Sequence, residues 1–342
     1  MARKPSKRQY LQSLDKLSPA IRKQYLAWVR RRVGAASIRA VEKWVASSNI
    51  EMIMNELGMT GSTLADLNEA VRDSYKAGGK FEESAFLSSP AAQFTFDIRN
   101  PTAETWLRDK SSKLIQDITR AQRQSIATAL EAGVRAGKNP RNTALDILGR
   151  KGANGRRTGG LVGLNRPQTI HAGKAWEELS NGDPNSLRNY LSRGRRDRRY
   201  DTTVIRAIQG ETKLTQTQVN RISGRYADRL LHLRAETIAR TETIASFNAA
   251  RDQAWNQAVE EGAVKHEFIE CRWSSTGDAR TRDSHTGMNN QTRRQGEAFR
   301  SPLGSLMKYP GDTSLGALAE DVVNCRCFVE KSVDFIAQEA AQ

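Results

Sequence analysis

Apolar and small side chains recur at roughly 3.6-residue spacing between residues 234 and 260. Ile238, Ile244, Ala245, Ala249, Trp255 and Val259 fall within one broad stripe, and neither Pro nor Gly interrupts them before Gly262. The pattern predicts one long helix, with Arg240 and Arg251 on a flank and Gly262 ending it as a left-handed C′ residue. At about 1.5 Å per residue it spans roughly 40 Å, enough to be the spine of a small domain. Upstream, Ser18 and Pro19 read as the cap and first position of another helix. Its stripe is Ile21, Tyr25, Trp28, Val29 and Val33 and, beyond a loosened Gly34-Ala35-Ala36, Val41, Trp44 and Val45. A shorter helix over 63–76 is expected to close at Gly78-Gly79. Residues 80–100, with Phe81, Phe86, Phe94 and Phe96 around Pro90, read as a loop or short hairpin that plugs aromatics into a neighbouring surface.

Asn100-Pro101-Thr102 opens a long helix to about residue 136, faced by Trp106, Leu114, Ile118, Ile126 and Leu130. Gly137-Lys138-Asn139-Pro140 stops it and restarts a short helix over 141–148. A helix over 214–233 leads into the spine. After Gly262 the period changes, and residues 266–273 suit a strand, followed by a turn at Thr276-Gly277-Asp278. The fold class is therefore mainly α with a small C-terminal α+β module and an extended helical N-terminal region. Five segments are expected: a helical domain at 1–150, a glycine-rich basic linker at 151–166, a basic helical region at 167–233, the module at 234–334 and a tail at 335–342.

Charge narrows the partners. Lys and Arg number 54 against 38 Asp and Glu, a net charge of +16, and the mean hydropathy is −0.64. Such an excess favours a polyanion, and nucleic acid is the commonest one. The densest cluster is Arg193, Arg195, Arg196, Arg198 and Arg199, with Tyr190 and Tyr200 at its edges. Guanidinium forks and stacking rings suit phosphates and bases; an acidic protein surface or a plain solvated face is the alternative. Arg156 and Arg157, within the glycine-rich stretch, add a basic loop. No base-reading motif accompanies these cations, so contact with double-stranded DNA should be sequence-neutral. No apolar run reaches membrane-spanning length. The basic start, residues 1–8, lacks the apolar core of a secretion signal and reads as an arm for anionic surfaces or a solvated tail. Three cysteines argue against a disulfide framework and for a reducing cytoplasm.

Cys271, His285, Cys325 and Cys327 supply the ligand types of a Cys3His zinc site. They lack a C-x2-C knuckle, and C-x-C on a regular strand points its thiols to opposite faces, although a turn could unite them. Structural thiols, or a disulfide formed once outside the cell, compete with zinc, and no cofactor is expected. Asp278, Arg280, Arg282, Asp283 and His285 could also be assembled into an acid–base site. No nucleophile elbow, HExxH or P-loop accompanies them, so no enzyme is expected. These residues read instead as the core and brace of the module: Trp273 at its centre, Asp278, Arg280, Asp283 and His285 bracing the loop, and Asn324 opening the closing segment.

Four pieces in order carry a resemblance: R-A-E-T-I-A-R-T-E-T at 234–243, W-x4-D-x-R-x-R-D-S-H at 273–285, Y-P-G-D at 309–312 and N-C-R-C at 324–327. Together, over about residues 235–328, they resemble the phage Mu F-like family of head morphogenesis proteins. The resemblance implies a minor head protein of a tailed phage, present at low copy near the portal vertex of the virion and in the host cytoplasm during assembly. It implies contact with portal protein and/or major capsid protein and with packaged DNA. The rivals are an enzyme delivered with the genome, a nuclease or a transferase, and a plain sequence-neutral DNA-binding protein.

Overall fold

A computed structural model describes residues 6–59, 61–86, 94–334 and 337–338. Residues 1–5 of the expected arm, Pro90 and most of the expected tail at 335–342 lie outside the described residues, and Lys7 and Arg8 of the arm belong to α1. The chain folds as helices with short strands near the C-terminus, as the periodicity predicts. The helices are α1 (Lys7–Ala35), α2 (Ile38–Ala46), α3 (Ile50–Glu56), α4 (Ala65–Phe86), α5 (Pro101–Arg135) and α6 (Pro140–Leu148). A two-residue ribbon, β1 (Arg150–Lys151) and β2 (Arg157–Thr158), precedes α7 (Arg166–Asn181), α8 (Pro184–Ser192), α9 (Asp201–Ile208) and α10 (Gln216–Glu260).

Two compact units result, one from Met1–Lys23, Asp66–Ser111 and Glu236–Gln342, the other from Gln24–Ala65 and Ser112–Ala235. These are not the consecutive segments expected from composition. The long helices α1, α5 and α10 each contribute residues to both units, so neighbourhood in the chain does not decide membership.

In the second unit, α7, α8, α9 and the start of α10 enclose Leu164, Leu179, Leu187, Tyr190, Val204 and Ile222. The stretch at 151–166 is not a free linker: Val162 and Leu164 are buried. The Tyr25 hydroxyl donates to the Gly163 carbonyl at 2.7 Å, and Gly159 N–H donates to Asp228 at 2.7 Å. At Gly159 a Cβ would stand 2.5 Å from the Gly224 Cα. Glycine here allows two backbones to touch, a demand that composition alone does not distinguish from looseness.

In the first unit the spine helix α10 is buried on all sides over residues 242–255, not along one stripe. Its polar residues therefore need internal partners. Arg251, expected on a flank of the stripe, is 3% exposed. It donates to Glu82 at 2.5 Å and to the Val329 carbonyl at 2.9 Å, and its guanidinium lies 4.4 Å from the Phe328 ring centroid. Asn248 donates to the Tyr10 hydroxyl and to the Pro310 carbonyl, both at 3.0 Å. Helix α10 ends at Glu260, and Gly262 takes a left-handed φ of 75° as expected.

Several boundaries differ from the sequence reading: the chain breaks between α1 and α2, where Ser37 caps α2, and the helix expected over 214–233 is continuous with the spine as α10. Helix α1 starts at Lys7 and carries Pro19 inside it, because Tyr10 and Leu14 are anchored in the core and hold the extra turns. Helix α4 runs through Gly78-Gly79 to Phe86, so Phe81 is helical, while Phe94 and Phe96 are buried beyond it. Gly78 is a packing residue: a Cβ there would stand 2.1 Å from the Phe247 carbonyl oxygen of α10.

After α10 the chain forms β3 (Ile269–Ser274), α11 (Asp283–Thr286), β4 (Thr292–Arg294), β5 (Phe299–Arg300), β6 (Leu306–Met307), α12 (Ala319–Val322) and β7 (Phe328–Val333). Strands β4, β3 and β7 make an antiparallel sheet in that order, and β5 pairs with β6. Ile269, Cys271 and Trp273 alternate inward along β3, the period-2 pattern of a half-buried strand.

Candidate functional site

The quoted motifs lie in the first unit, apart from Arg234 and Ala235 at the start of the first one. Strand β3 buries Trp273, whose ring meets His285 edge-on at 6.0 Å and Phe299 at 5.3 Å. The turn after β3 folds on Asp278, which accepts from Arg280 N–H at 3.0 Å and from the Thr281 hydroxyl at 3.2 Å. Arg326, in the centre of N-C-R-C, forks onto the same carboxylate at 2.7 and 2.8 Å. The Arg326 hydrogen bond is the main reason the Asp278 carboxyl sits at about 2, below its ordinary 3.8. Arg282 donates to the Val323 carbonyl. In Y-P-G-D, Asp312 accepts from the backbone of Lys308 and Ser314, at 2.9 and 2.8 Å, and fixes a turn whose Pro310 carbonyl Asn248 holds.

His285 sits on the four-residue helix α11 and is 2% exposed. Its Nδ1 lies 3.2 Å from Cys327 Sγ and 3.6 Å from Cys325 Sγ, and its Nε2 lies 3.5 Å from Asp321 Oδ1. Both thiols reach one imidazole because residues 325–327 precede β7 and are not part of a strand. Asn324, in the left-handed region at φ 54°, turns the chain there, and its N–H donates to Thr241 at 3.1 Å. The two thiols form a tightly linked pair. The hydrogen bond between them pulls Cys327 well below the ordinary thiol value and keeps Cys325 above it.

Asp321 is fully buried and was not singled out from the sequence. Ser284 and Ser301 donate to it at 2.9 and 2.6 Å. Burial works to raise its carboxyl, but the hydroxyls of Ser301, Ser305 and Ser284 and the nearby His285 outweigh that and hold it below the ordinary value. Asp321 takes the bracing role expected of Asp283. Asp283 is exposed on the first turn of α11, and Arg280 is exposed as well, so neither belongs to the core. Cys271 does not join the other two cysteines. Its Sγ lies 3.4 Å from Gln295 Oε1, and burial raises its thiol.

The second unit carries a different surface. A cleft of about 800 Å³ is lined by Arg30 and Arg31 of α1, Lys151, Arg156 and Arg157 of the ribbon, and Arg199, Arg225 and Arg229, with Asp197 and Asp228 as the acidic residues. The expected arginine cluster is split. Arg193 forks onto Glu178 at 2.7 Å, Arg196 forks onto Asp201 at 2.9 Å, and Arg199 pairs with Asp197 at 2.6 Å. Arg195 and Arg198 are exposed. Of the arginines expected to meet DNA, Arg156, Arg157 and Arg199 line the cleft, and Arg30, Arg31, Lys151, Arg225 and Arg229 join them from other parts of the chain.

The family described as Phage Mu protein F like protein matches residues 124–330, which begin inside α5 and take in the ribbon, α7 to α10 and the module as far as β7. No curated protein and no solved structure gives a significant match. The family match covers more than half of the chain and contains all four motifs, so this chain belongs to the phage Mu protein F-like family of phage head morphogenesis proteins.

Proposed function

We propose that the protein is a minor head protein that holds packaged duplex DNA without sequence preference and attaches to portal or major capsid protein through its C-terminal module. The observation that carries the reading is the cleft of the second unit, where eight cations face two carboxylates. Cations gathered from α1, the ribbon, the segment at Arg199 and α10 fit a repeating phosphate backbone better than a single small anion. The net charge of +16 supports attraction at long range. On the module, Leu303, Leu306, Leu315 and Leu318 are exposed. Leu318 N–H donates to Ser305 at 3.0 Å, which brings two of these leucine-bearing segments side by side as an apolar surface suited to a protein partner. The role is binding and adhesion, with no catalytic step.

Duplex DNA of random sequence, titrated over a range of salt, tests the DNA half. Arg30, Arg156, Arg225 and Arg229 are exposed in the cleft, so changing all four to Ala should spare the core. Each lost phosphate contact lowers the log–log salt slope by about 0.9, so the fourfold variant should lose roughly 3 to 4 from it. Wild-type slope and affinity in a folded fourfold variant would remove the cleft from the interface. The protein half is read by co-assembly: Leu303→Asp with Leu318→Asp should reduce capture by portal–capsid particles without changing DNA affinity.

A further inference from the structure

We propose that His285, Cys325 and Cys327 bind one zinc ion that staples the C-terminal module. The proposal is independent of DNA binding. One nitrogen and two sulfurs, all from buried side chains, lie within 4.8 Å of one another. Zinc sits about 2.3 Å from sulfur and about 2.0 Å from nitrogen, so a tetrahedral ion separates its sulfur and nitrogen ligands by roughly 3.5 Å. The distances found from His285 Nδ1, 3.2 and 3.6 Å, bracket that value.

The outer shell points the same way. A metal-bound histidine commonly directs its second ring nitrogen at a carboxylate, which fixes the tautomer and strengthens the ligand. Here that nitrogen, Nε2, faces buried Asp321 at 3.5 Å, and Ser284 and Ser301 hold the carboxylate in place. The backbone is arranged for ligation as well, since left-handed Asn324 lets both thiols of C-x-C turn toward one imidazole. Without an ion, this packing gives two thiols only weak hydrogen bonds.

The choice of zinc follows from the ligands: soft thiolates with an imidazole suit a borderline-soft ion better than magnesium or calcium. Three protein ligands leave the fourth position of the tetrahedron to a small donor such as water. The site lies between α11, after the Asp278 turn, and the segment that enters β7. Binding there ties the loop after β3 to the segment that enters β7, and metal-binding energy becomes folding energy.

The test uses the full chain, purified under reducing conditions with zinc present. Mass-spectrometric metal analysis should find close to one zinc per chain, and cobalt substitution should give a thiolate-to-metal charge-transfer band. Cys325→Ser with Cys327→Ser, and His285→Ala, should lose both signals, whereas Cys271→Ser should keep them. Asp321 is a positioning residue, and Asp321→Asn should weaken zinc affinity by about 10–100-fold while leaving the cobalt band in place. If the ligand variants do not fold, wild-type protein refolded with and without chelator replaces them, and the module should form only with metal. Zinc-free wild-type protein with no cobalt band would overturn the proposal. Stoichiometric zinc retained by the folded double-serine variant, or a Cys325–Cys327 disulfide in the protein as isolated, would overturn it equally.

Discussion

Asp278 and Arg326 are 48 positions apart, and Arg326 donates to both carboxylate oxygens at 2.7 and 2.8 Å. The pair joins the turn after β3 to the centre of N-C-R-C, so two separate motifs are one structural feature. The folded carboxyl sits at about 2, below the 3.8 of the free group. The pair's contribution is therefore complete above about pH 4 and is lost as pH falls toward 2. In Arg326→Gln the carboxyl midpoint, followed by carbon NMR, should rise most of the way to the free value. A midpoint still near 2 in the variant would assign the shift to the backbone of the turn instead.

Trp273 is fully buried against His285 and Phe299. Truncation removes the largest side chain from the centre of a module with few and short strands. Trp273→Ala should destabilise by about 3–5 kcal/mol in urea unfolding. A loss below about 1 kcal/mol would show that neighbouring side chains collapse into the space.

Arg251 and Glu82 are both buried and bonded at 2.5 Å, with Trp255 Nε1 donating to the other Glu82 oxygen at 2.9 Å. Glu82→Ala leaves a guanidinium in the core without its counter-charge, at a cost of about 3–5 kcal/mol. Replacing both partners, Glu82→Leu with Arg251→Met, should recover much of that loss. If the double variant is as unstable as the single one, shape and not charge dominates at this site.

Legibility followed the range of the interaction. Local rules located the start of α5 at Pro101, the stop and restart at 137–140 before α6, and the stop at Gly262. The strand through Trp273 and the burial of that ring followed from its pattern and aromatics. What failed depended on partners distant in the chain. Pro19 resembles a helix start until Tyr10 and Leu14 are seen anchoring the turns before it. Asp321 had no visible role until the fold placed it beside His285. The same reasoning explains the split arginine cluster, because Glu178 lies 15 positions from the arginine it neutralises. Asp197 and Asp201, which pair with Arg199 and Arg196, stand in or beside the cluster, but the role of Glu178 and the cleft assembled from four segments were not visible in the sequence.

Glycine gives the sharpest test, because two helical glycines should respond with opposite sign. Replacing a helical glycine by alanine usually stabilises by about 0.5–1 kcal/mol, through helix propensity and a less flexible unfolded chain. Among the described residues nothing lies within 4 Å of where a Cβ at Gly173 in α7 would stand, so Gly173→Ala should show that gain. At Gly78 the same methyl would stand 2.1 Å from the Phe247 carbonyl oxygen and 2.8 Å from its carbonyl carbon. The obstacle is backbone inside the spine helix, which cannot rotate away as a side chain would. Moving α4 outward would loosen the Phe247, Tyr10 and Phe81 rings packed beside it. The overpacking cost of about 1–3 kcal/mol, occasionally more, should exceed the propensity gain. Urea midpoints of the two variants should therefore move apart, up for Gly173→Ala and down for Gly78→Ala. A stabilised Gly78→Ala would mean that α4 ends at the glycine pair, as helix-breaking composition alone predicts, and does not press against α10.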